Sequence, residues 1–374
     1  MIRVRPTVWL FNKAGERKGM VEPVELSCVF RDSGLGSWCF AFDSEHYLAS
    51  KVSPGWSVLI SDGLVSMSGP IDKISIEQGA TMSTHTISGK DEMVHLSDRI
   101  TYPSPNLPIT KQTDVSHWKM KGAAADVIAA LISASVGPSA LEARKVRNVV
   151  LDYVRGKGAP VVVEERFTNV LEVVTDISRM GGVTVHGLRK EDGNLYYSIS
   201  VPRDLSRQVR FFRQSGNGAQ GEMSFEAPTA TAVIVAAQGE GVDRDIREAT
   251  EVSVWGRRIE VLKDRRDTSE DDTLNNAGME ELVQGAEAAG ASFSVVESES
   301  LMFGRDYALG DKITLNAGSI VISERVRQAS VKWDGFGRTV ELSIGDHKQE
   351  DDKNPVWVKH VKSLASRLNN LESR

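Results

Sequence analysis

The chain has 374 residues, 40% hydrophobic and 26% charged, and this composition excludes a wholly disordered protein. Its 45 basic and 51 acidic residues give a net charge of −6, which argues against a strongly basic nucleic-acid binder. Because no apolar run approaches the ~18 residues of a transmembrane helix, no membrane segment is predicted. The alternating start, from Ile2 to Leu10, indicates a strand and not a signal peptide.

Residues 1–113 predict a first small β-barrel domain. Short runs rich in β-branched and aromatic residues are separated by glycine and proline turns, a pattern typical of an antiparallel barrel or sandwich. The runs lie at 24–30, 38–42, 52–60, 65–76 and 81–89. A proline cluster at Pro103, Pro105 and Pro108 ends this domain with an extended linker.

The two cysteines, Cys28 and Cys39, are too few for a disulfide scaffold. They flank the glycine-rich turn at 32–36, so a bridge across a hairpin is one interpretation. The alternative is that both are small buried hydrophobic residues. Synthesis in a reducing cytoplasm fits either interpretation.

Residues 114–205 predict an α+β domain. Apolar residues recur at helical spacing over 123–136 and again over 168–180. Glycines stop both helices, at Gly137 and at Gly181, and strand-like runs follow at 183–186 and 195–201.

Residues 206–346 predict a second β-barrel domain with a helical insertion near 268–291. Thr268 or Ser269 can cap this helix, and Leu282, Ala286 and Ala289 share one face. The predicted strands lie at 209–212, 223–226, 230–237, 251–254, 312–315, 320–322, 327–333 and 339–344.

Residues 347–374 predict a polar linker and a C-terminal helix over 357–371. Four apolar residues follow the 3-4-3 spacing of a coiled-coil seam: Val361, Leu364, Leu368 and Leu371. This pattern predicts a contact between copies of the chain. The alternative is an amphipathic helix packed on its own domain.

Chemical motifs are sparse, and we predict no catalytic, cofactor or metal site. The string Gly216–Gly221 fits G-x-G-x-x-G, but the extended run Met223–Pro228 follows it where a nucleotide site needs a helix. It therefore indicates a hairpin loop. The cluster of Trp255, Arg257 and Arg258 favours either phosphate or base contacts or a structural cation–π and ion-pair cluster.

Several short strings, in this order, resemble the tail hub proteins of siphophages that infect actinobacteria. The resemblance spans about residues 20–346. The strings lie at 54–56, 62–69, 167–173, 227–231, 238–241, 255–260, 303–312 and 342–346.

This resemblance implies a mainly β fold of two β-barrel domains separated by an α+β domain, similar to the hubs of contractile tails and of the type VI secretion spike. It implies a homotrimer whose six barrels form a ring at the virion tail tip, adapting the sixfold tail tube to threefold components. The implied partners are the distal tail protein, the tail tube, tail fibre or spike proteins and the tape measure protein, with DNA passing through the lumen. The expected function is structural.

Two alternatives stay open at this stage. One is a tail-associated cell-wall hydrolase or peptidase whose catalytic carboxylates lie among the unassigned acids. The other is a cytoplasmic β-rich module that binds a small ligand.

Overall fold

The computed structural model describes residues 5–78, 83–212, 217–266, 269–317 and 320–345. Strands predominate and helices are few, so the predicted mainly β fold with an α+β portion is confirmed.

The first strand group follows the pattern expected for an antiparallel sheet with one buried face. In its first strand Val8 and Leu10 are fully buried and their neighbours are only partly covered, because successive side chains point to opposite faces. The group comprises β1 (Thr7–Phe11), β2 (Arg17–Val21), β3 (Glu25–Arg31), β4 (Ser37–Asp43), β5 (Ser57–Ser61), β6 (Ser66–Gln78) and β7 (Ser83–Lys90).

The α+β portion follows directly and has its own apolar core. Its third helix is capped at the N-terminus by Asn169, whose side chain accepts hydrogen bonds from the backbone N–H groups of Leu171 and Glu172. It ends at Gly182, whose φ of 69° suits a residue without Cβ. The elements are α1 (Val94–Ser97), β8 (Trp118–Ala123), α2 (Ala124–Ser135), β9 (Val149–Tyr153), β10 (Pro160–Glu165), α3 (Val170–Gly181), β11 (Thr184–Arg189) and β12 (Leu195–Ser200).

The second strand group is interrupted by an insertion with its own small sheet and helix. The insertion comprises β15 (Ala232–Ala236), β16 (Ile246–Thr250), β17 (Glu260–Asp264) and α4 (Asp271–Gln284). The strands around it are β13 (Arg210–Phe212), β14 (Gly218–Glu226), β18 (Ala288–Val295), β19 (Lys312–Ala317), β20 (Ile320–Asp334) and β21 (Gly337–Gly345).

Three predictions of local structure in this part of the chain were wrong. The helix stops at Gln284, and Ala289 lies on β18, whose pairing with β14 and β21 outweighs the helical spacing of its alanines. The predicted strand at 251–254 is irregular, because the pairing partner of β15 is the preceding segment, β16. The glycine string belongs from Gly218 onward to β14 and not to a loop.

The two strand groups join in a continuous sheet that is not closed into one barrel. Its strand order is β14-β18-β21-β20-β3-β4-β7-β6-β5-β1-β2, with β19 also on β20 and β13 on β19. The two strand groups are joined by the antiparallel pairing of β3 with β20. A shared hydrophobic core lies beneath both groups.

The strand groups repeat one strand order. In the first the order is β1-β5-β6-β7-β4-β3, and in the second it is β13-β19-β20-β21-β18-β14. The long strands β6 and β20 occupy the same place, and each carries an irregular step opposite its hairpin partner. The groups differ at one end, because β1 is antiparallel to β5 whereas β13 is parallel to β19. This shared order supports the prediction of two similar β-rich regions.

Candidate functional site: the junctions between regions

The junction of the two strand groups is built on the β3–β20 pair. Leu26 lies opposite Trp333 and Cys28 opposite Val331, and all four side chains are at most 3% exposed. Burying such apolar groups supplies most of the stability of a β junction. The two regions are therefore held by a common core as well as by backbone hydrogen bonds.

The Asp62 carboxylate lies in the turn between β5 and β6, fully buried against the second strand group. Its Oδ1 accepts hydrogen bonds from the backbone N–H groups of Leu64 and Val65, at 2.9 and 2.8 Å. Its Oδ2 accepts one from Trp333 Nε1 at 3.1 Å and lies 2.9 Å from Arg338 Nε. A buried charge is stable only when it is paired and hydrogen-bonded, and Asp62 is both.

Arg338 completes this cluster from the other side. It is paired with Glu297 as well as Asp62, and its Nη2 donates to the carbonyl of Phe303 at 3.1 Å. The Arg338 side chain is 2% exposed. One guanidinium thus links the β5–β6 turn, the start of β21 and the segment before β19.

A second charge cluster joins all three parts of the chain around Asp32. Arg327 of β20 donates to Asp32 Oδ2 at 2.9 Å, and Thr184 of β11 donates to Oδ1 at 2.5 Å. Ser33, at a φ of 53°, accepts from the backbone N–H of Val185 at 2.9 Å. The turn after β3 is therefore the point where the first strand group, the α+β portion and the second strand group meet.

The α+β portion is also fixed to the first strand group through Glu92, whose side chain is 2% exposed. Its carboxylate accepts a hydrogen bond from Ser68 at 3.0 Å, and Arg189 Nε and His95 Nε2 lie 3.6 and 3.1 Å away. Burial alone raises the pKa of Glu92, but His95, Arg189 and Ser68 together bring this pKa below its ordinary value.

The insertion contacts the α+β portion through a different kind of surface. A small cavity of about 50 Å³ lies between α3, β10 and α4. Four acids line it together with Arg265: Glu164, Glu165, Asp176 and Glu280. Burial, and then the charge of Glu280, raises the pKa of Glu165 to about 7 and that of Asp176 to about 6. Glu164, which lines the same cavity, is instead ion-paired with Lys119 at 2.7 Å and with Arg265 at 3.3 Å.

The other predicted site residues lie elsewhere or outside the described residues. Val361, Leu364, Leu368 and Leu371 fall in the undescribed part of the chain. Arg258 is exposed and ion-paired with Glu248 and Glu260, which agrees with the ion-pair interpretation of that cluster. Trp255 is 46% exposed beside it, and Arg257 is also exposed.

The cysteines lie on neighbouring strands and are free, Cys28 fully buried and Cys39 partly so. Within the described ranges, no group of three or more His, Cys, Asp or Glu side chains is arranged to hold a metal ion. In the same ranges no helix has both the length and the apolar character needed to cross a membrane.

Sequence reasoning missed the buried charges, because an aspartate in a turn ordinarily faces water. Asp32 and Asp62 stand in the strings Asp-Ser-Gly and Asp-Gly, which predict only turns. One signal was available: Arg338 shares its strand face with the apolar residues at 340, 342 and 344, so the alternation places a guanidinium inside the core.

Solved structures define the class of protein to which this fold belongs. The 43 kDa tail protein of prophage MuSo2 from Shewanella oneidensis is 13% identical with a TM-score of 0.59, covering 90% of this chain and 98% of that one. A tail protein from Neisseria meningitidis MC58 is 15% identical with a TM-score of 0.57, covering 91% and 97%. Prophage tail protein gp18 from Listeria monocytogenes EGD-e is 11% identical with a TM-score of 0.57, covering 97% and 99%. The fold is that of phage tail proteins.

The family follows from the sequence itself. Residues 7–346 match the family model described as Siphovirus ReqiPepy6 Gp37-like protein, and the chain belongs to that family. No curated protein matches the chain. The resemblance to siphophage tail proteins is therefore confirmed, and the protein is a phage tail or baseplate component.

Proposed function

We propose that this protein is the structural hub at the distal end of a siphophage tail, a homotrimer that adapts the sixfold tail tube to threefold tip components. The observation that carries the proposal is the repeated strand order within one chain. Three copies of a chain with two similar strand groups present six similar units around a threefold axis. Such a ring matches sixfold symmetry on one side and threefold symmetry on the other.

The rigid junctions support this role. Asp62 with Arg338 and Asp32 with Arg327 hold the two strand groups in one fixed relation. A ring needs this, because an error in the angle between its two units would repeat three times and prevent closure. The proposed neighbours are the distal tail protein, the tail tube, the tape measure protein and tail fibre or spike proteins.

The hub would let DNA pass through its centre without holding it. Binding to phosphates strengthens with each Lys or Arg contact, so we propose a lumen that is neutral or acidic. The net charge of −6 supports this.

Particle mass and images test the hub directly. Light scattering of the purified protein should give three times the chain mass of 40.9 kDa. Averaged electron micrographs should show a threefold ring with a central hole. A monomer at all concentrations, or a compact particle without a hole, would contradict the proposal.

The C-terminal helix is proposed to reinforce the trimer at its axis. Leu364→Asp with Leu368→Asp should weaken the trimer in light scattering while the circular dichroism of the β body stays unchanged. Ser363→Asp with Ser366→Asp adds the same charge away from the seam and is the matched control. If the seam variant and the control behave alike, the helix does not hold the axis.

We also propose that the hub is not an enzyme. Glu165 and Asp176, whose pKa values are raised, line a cavity too small for a glycan and serve the contact with the insertion. Incubation with purified host cell walls should release no soluble fragments. Release that Glu165→Gln or Asp176→Asn abolishes would establish the hydrolase alternative instead.

A further inference from the structure

The repeated strand order gives each strand of one group a counterpart in the other. In β20 the pairing with β21 steps from Val326 to Gln328, and in β6 the pairing with β7 steps from Ile71 to Lys73. Aligning these two steps makes Lys73 the counterpart of Gln328. It follows that Ile76 is the counterpart of Val331.

The same alignment relates β14 to β3. Cys28 lies opposite Trp38, which is opposite Gly89, the partner of Ile71. In the second group Met223 lies opposite Ala291, which is opposite Ile344, the partner of Val326. Met223 is therefore the counterpart of Cys28, and Phe225 is the counterpart of Phe30.

The two pairs of equivalent strands, β20 with β3 and β6 with β14, differ in whether a neighbouring strand covers their edges. β20 and β3 pair with each other, and Val331 and Cys28 are buried between the groups. In their counterpart strands, the edge of β6 over 73–78 and the outer edge of β14 have no other described strand along them. Ile76 is 58% exposed and Phe225 is 50% exposed. The apolar residues left in solvent occupy the positions that pairing covers at the internal junction.

These two edges cannot meet within one copy of the chain. In the continuous sheet β18, β21, β20, β3, β4 and β7 lie between β14 and β6. At the usual strand spacing the edges are roughly 30 Å apart along the sheet, and β14 and β6 do not pair with each other. The partner that fits each edge is therefore the opposite edge of a second copy.

We propose that β6 of one copy pairs antiparallel with β14 of a second copy, repeating between chains the β20–β3 junction found within one chain. This deepens the proposed hub and rests on it, since it names the contact that closes the ring. Each copy offers one edge of each kind, so the contact is head-to-tail and extends around a closed ring.

The register is fixed by the internal junction, in which Gln328 lies opposite Arg31 and Val331 opposite Cys28. It places Ile74 opposite Phe225 and Ile76 opposite Met223, two apolar pairs. It also places Lys73 opposite Glu226, a pair of opposite charge, and Glu77 opposite Glu222, a pair of like charge. Directly opposed side chains of this kind stabilise or destabilise a strand pair.

Two substitutions on these edges test the contact by mass. Ile76→Asp with Phe225→Asp should shift the oligomer to monomer in light scattering and raise its dissociation constant at least ~100-fold, because it buries carboxylates in the contact. Val242→Asp with Phe336→Asp changes two residues that are 99% and 86% exposed away from these edges, and is the matched control. Thermal unfolding of both variants checks that the fold is intact.

The like-charge pair gives a test of register in the opposite direction. Glu222→Lys should tighten the oligomer by about fivefold, since it places a lysine opposite Glu77. Adding Glu77→Lys restores like charges and should remove this gain. If the register were shifted by one residue, Glu77 and Glu222 would not lie opposite each other. The second substitution would then leave the gain in place, which would contradict the proposed register.

Cross-linking identifies which copy supplies each strand. Ile76→Cys with Met223→Cys, in a Cys39→Ser background, should form disulfides between chains, seen as dimers and trimers on non-reducing gels. If the disulfide forms but the protein still runs as a monomer, both strands belong to one copy, and this result overturns the proposed pairing between copies. An oligomer that survives the aspartate variant and does not cross-link leaves the hub standing and overturns this contact. A protein that is monomeric at every concentration overturns both.

Discussion

Two junctions within this chain are built on opposite electrostatic principles. Between the strand groups, the buried carboxylates of Asp62 and Asp32 each meet an arginine. Between the insertion and the α+β portion, Glu165 and Asp176 face Glu280, and burial and like charge raise their pKa values. The first arrangement places each carboxylate against a positive charge, whereas the second places like charges together and raises the pKa values of two of its acids.

This difference separates a permanent junction from one that depends on conditions. Removing one member of a buried, fully paired cluster leaves a charge without a partner, so a single substitution weakens the first junction strongly. The second junction strengthens when its acids bind protons. Solution pH can therefore alter the attachment of the insertion.

The largest expected effect is at the buried pair. Asp62→Ala should lower the free energy of unfolding by about 3–5 kcal/mol, because Arg338 stays buried with only part of its pairing. Urea denaturation measures it. Asp243→Ala, which changes an exposed acid on the insertion, is the control and should have little effect. A loss of under ~1 kcal/mol at Asp62 would contradict a permanent junction.

A smaller loss is expected at the three-way contact. Asp32→Ala should cost about 2 kcal/mol, since Thr184 and Arg327 both lose an acceptor. Arg327 is 28% exposed, so water compensates for its charge better than for that of Arg338. Asp32→Asn keeps an acceptor for Thr184 and should recover part of the loss. Equal losses for both substitutions would show that only the charge matters.

At the insertion, removing a carboxylate is expected to raise the free energy of unfolding and not to lower it. The pKa of Glu165 is about 7 in the folded protein and higher than in the unfolded chain, so the folded state holds a proton more tightly. Its stabilising effect is complete below about pH 4.5 and is lost as the pH rises through 7. Glu165→Gln should therefore raise the free energy of unfolding by about 1–3 kcal/mol at pH 8 and change little at pH 4.5.

The neighbouring residue provides a control of opposite sign. Glu164→Gln removes the carboxylate that pairs with Lys119 and should destabilise the protein at pH 8. If both glutamine variants move the unfolding free energy in the same direction, the acidic cavity is not the cause.

The smallest effect is expected at the exposed contact between the same two parts. Lys121 and Asp272 form an ion pair with both side chains largely in solvent. Water and salt screen such a pair, so Lys121→Ala should leave the midpoint of thermal unfolding unchanged within error. A clear decrease that high salt abolishes would show that this pair does hold the insertion.

The sequence predicted the elements that depend on local pattern. The helices α2 and α3 were found within about two residues, because apolar periodicity and the glycine at the end of α3 specify them. The start of β18 was predicted as helix, and the strand β16 was predicted at 251–254 instead of 246–250. Their alanines and charged residues carry no strong strand preference, so long-range pairing decides them. The domain limits at 113, 205 and 346 and the C-terminal seam stay predictions.

The site was the least predictable part. The β3–β20 pair joins residues about 300 positions apart, and no short pattern specifies which of two similar regions a strand will join. The carboxylates at 32 and 62 are distinguished from other turn acids only by arginines that arrive near the end of the chain.

The pairing of β3 with β20 also sets the order of events during synthesis. Residues 25–31 leave the ribosome early, but their partner is Gln328–Trp333, and at 5–20 residues per second the wait is about 15–60 s. Until then β3 is an open edge that any passing strand can join. Because contacts so distant in sequence form slowly, chains that a nonsense mutation ends before β20 are expected to aggregate through this edge. The yield of folded protein should accordingly respond to translation speed between codons 32 and 327 more than to the speed after codon 333.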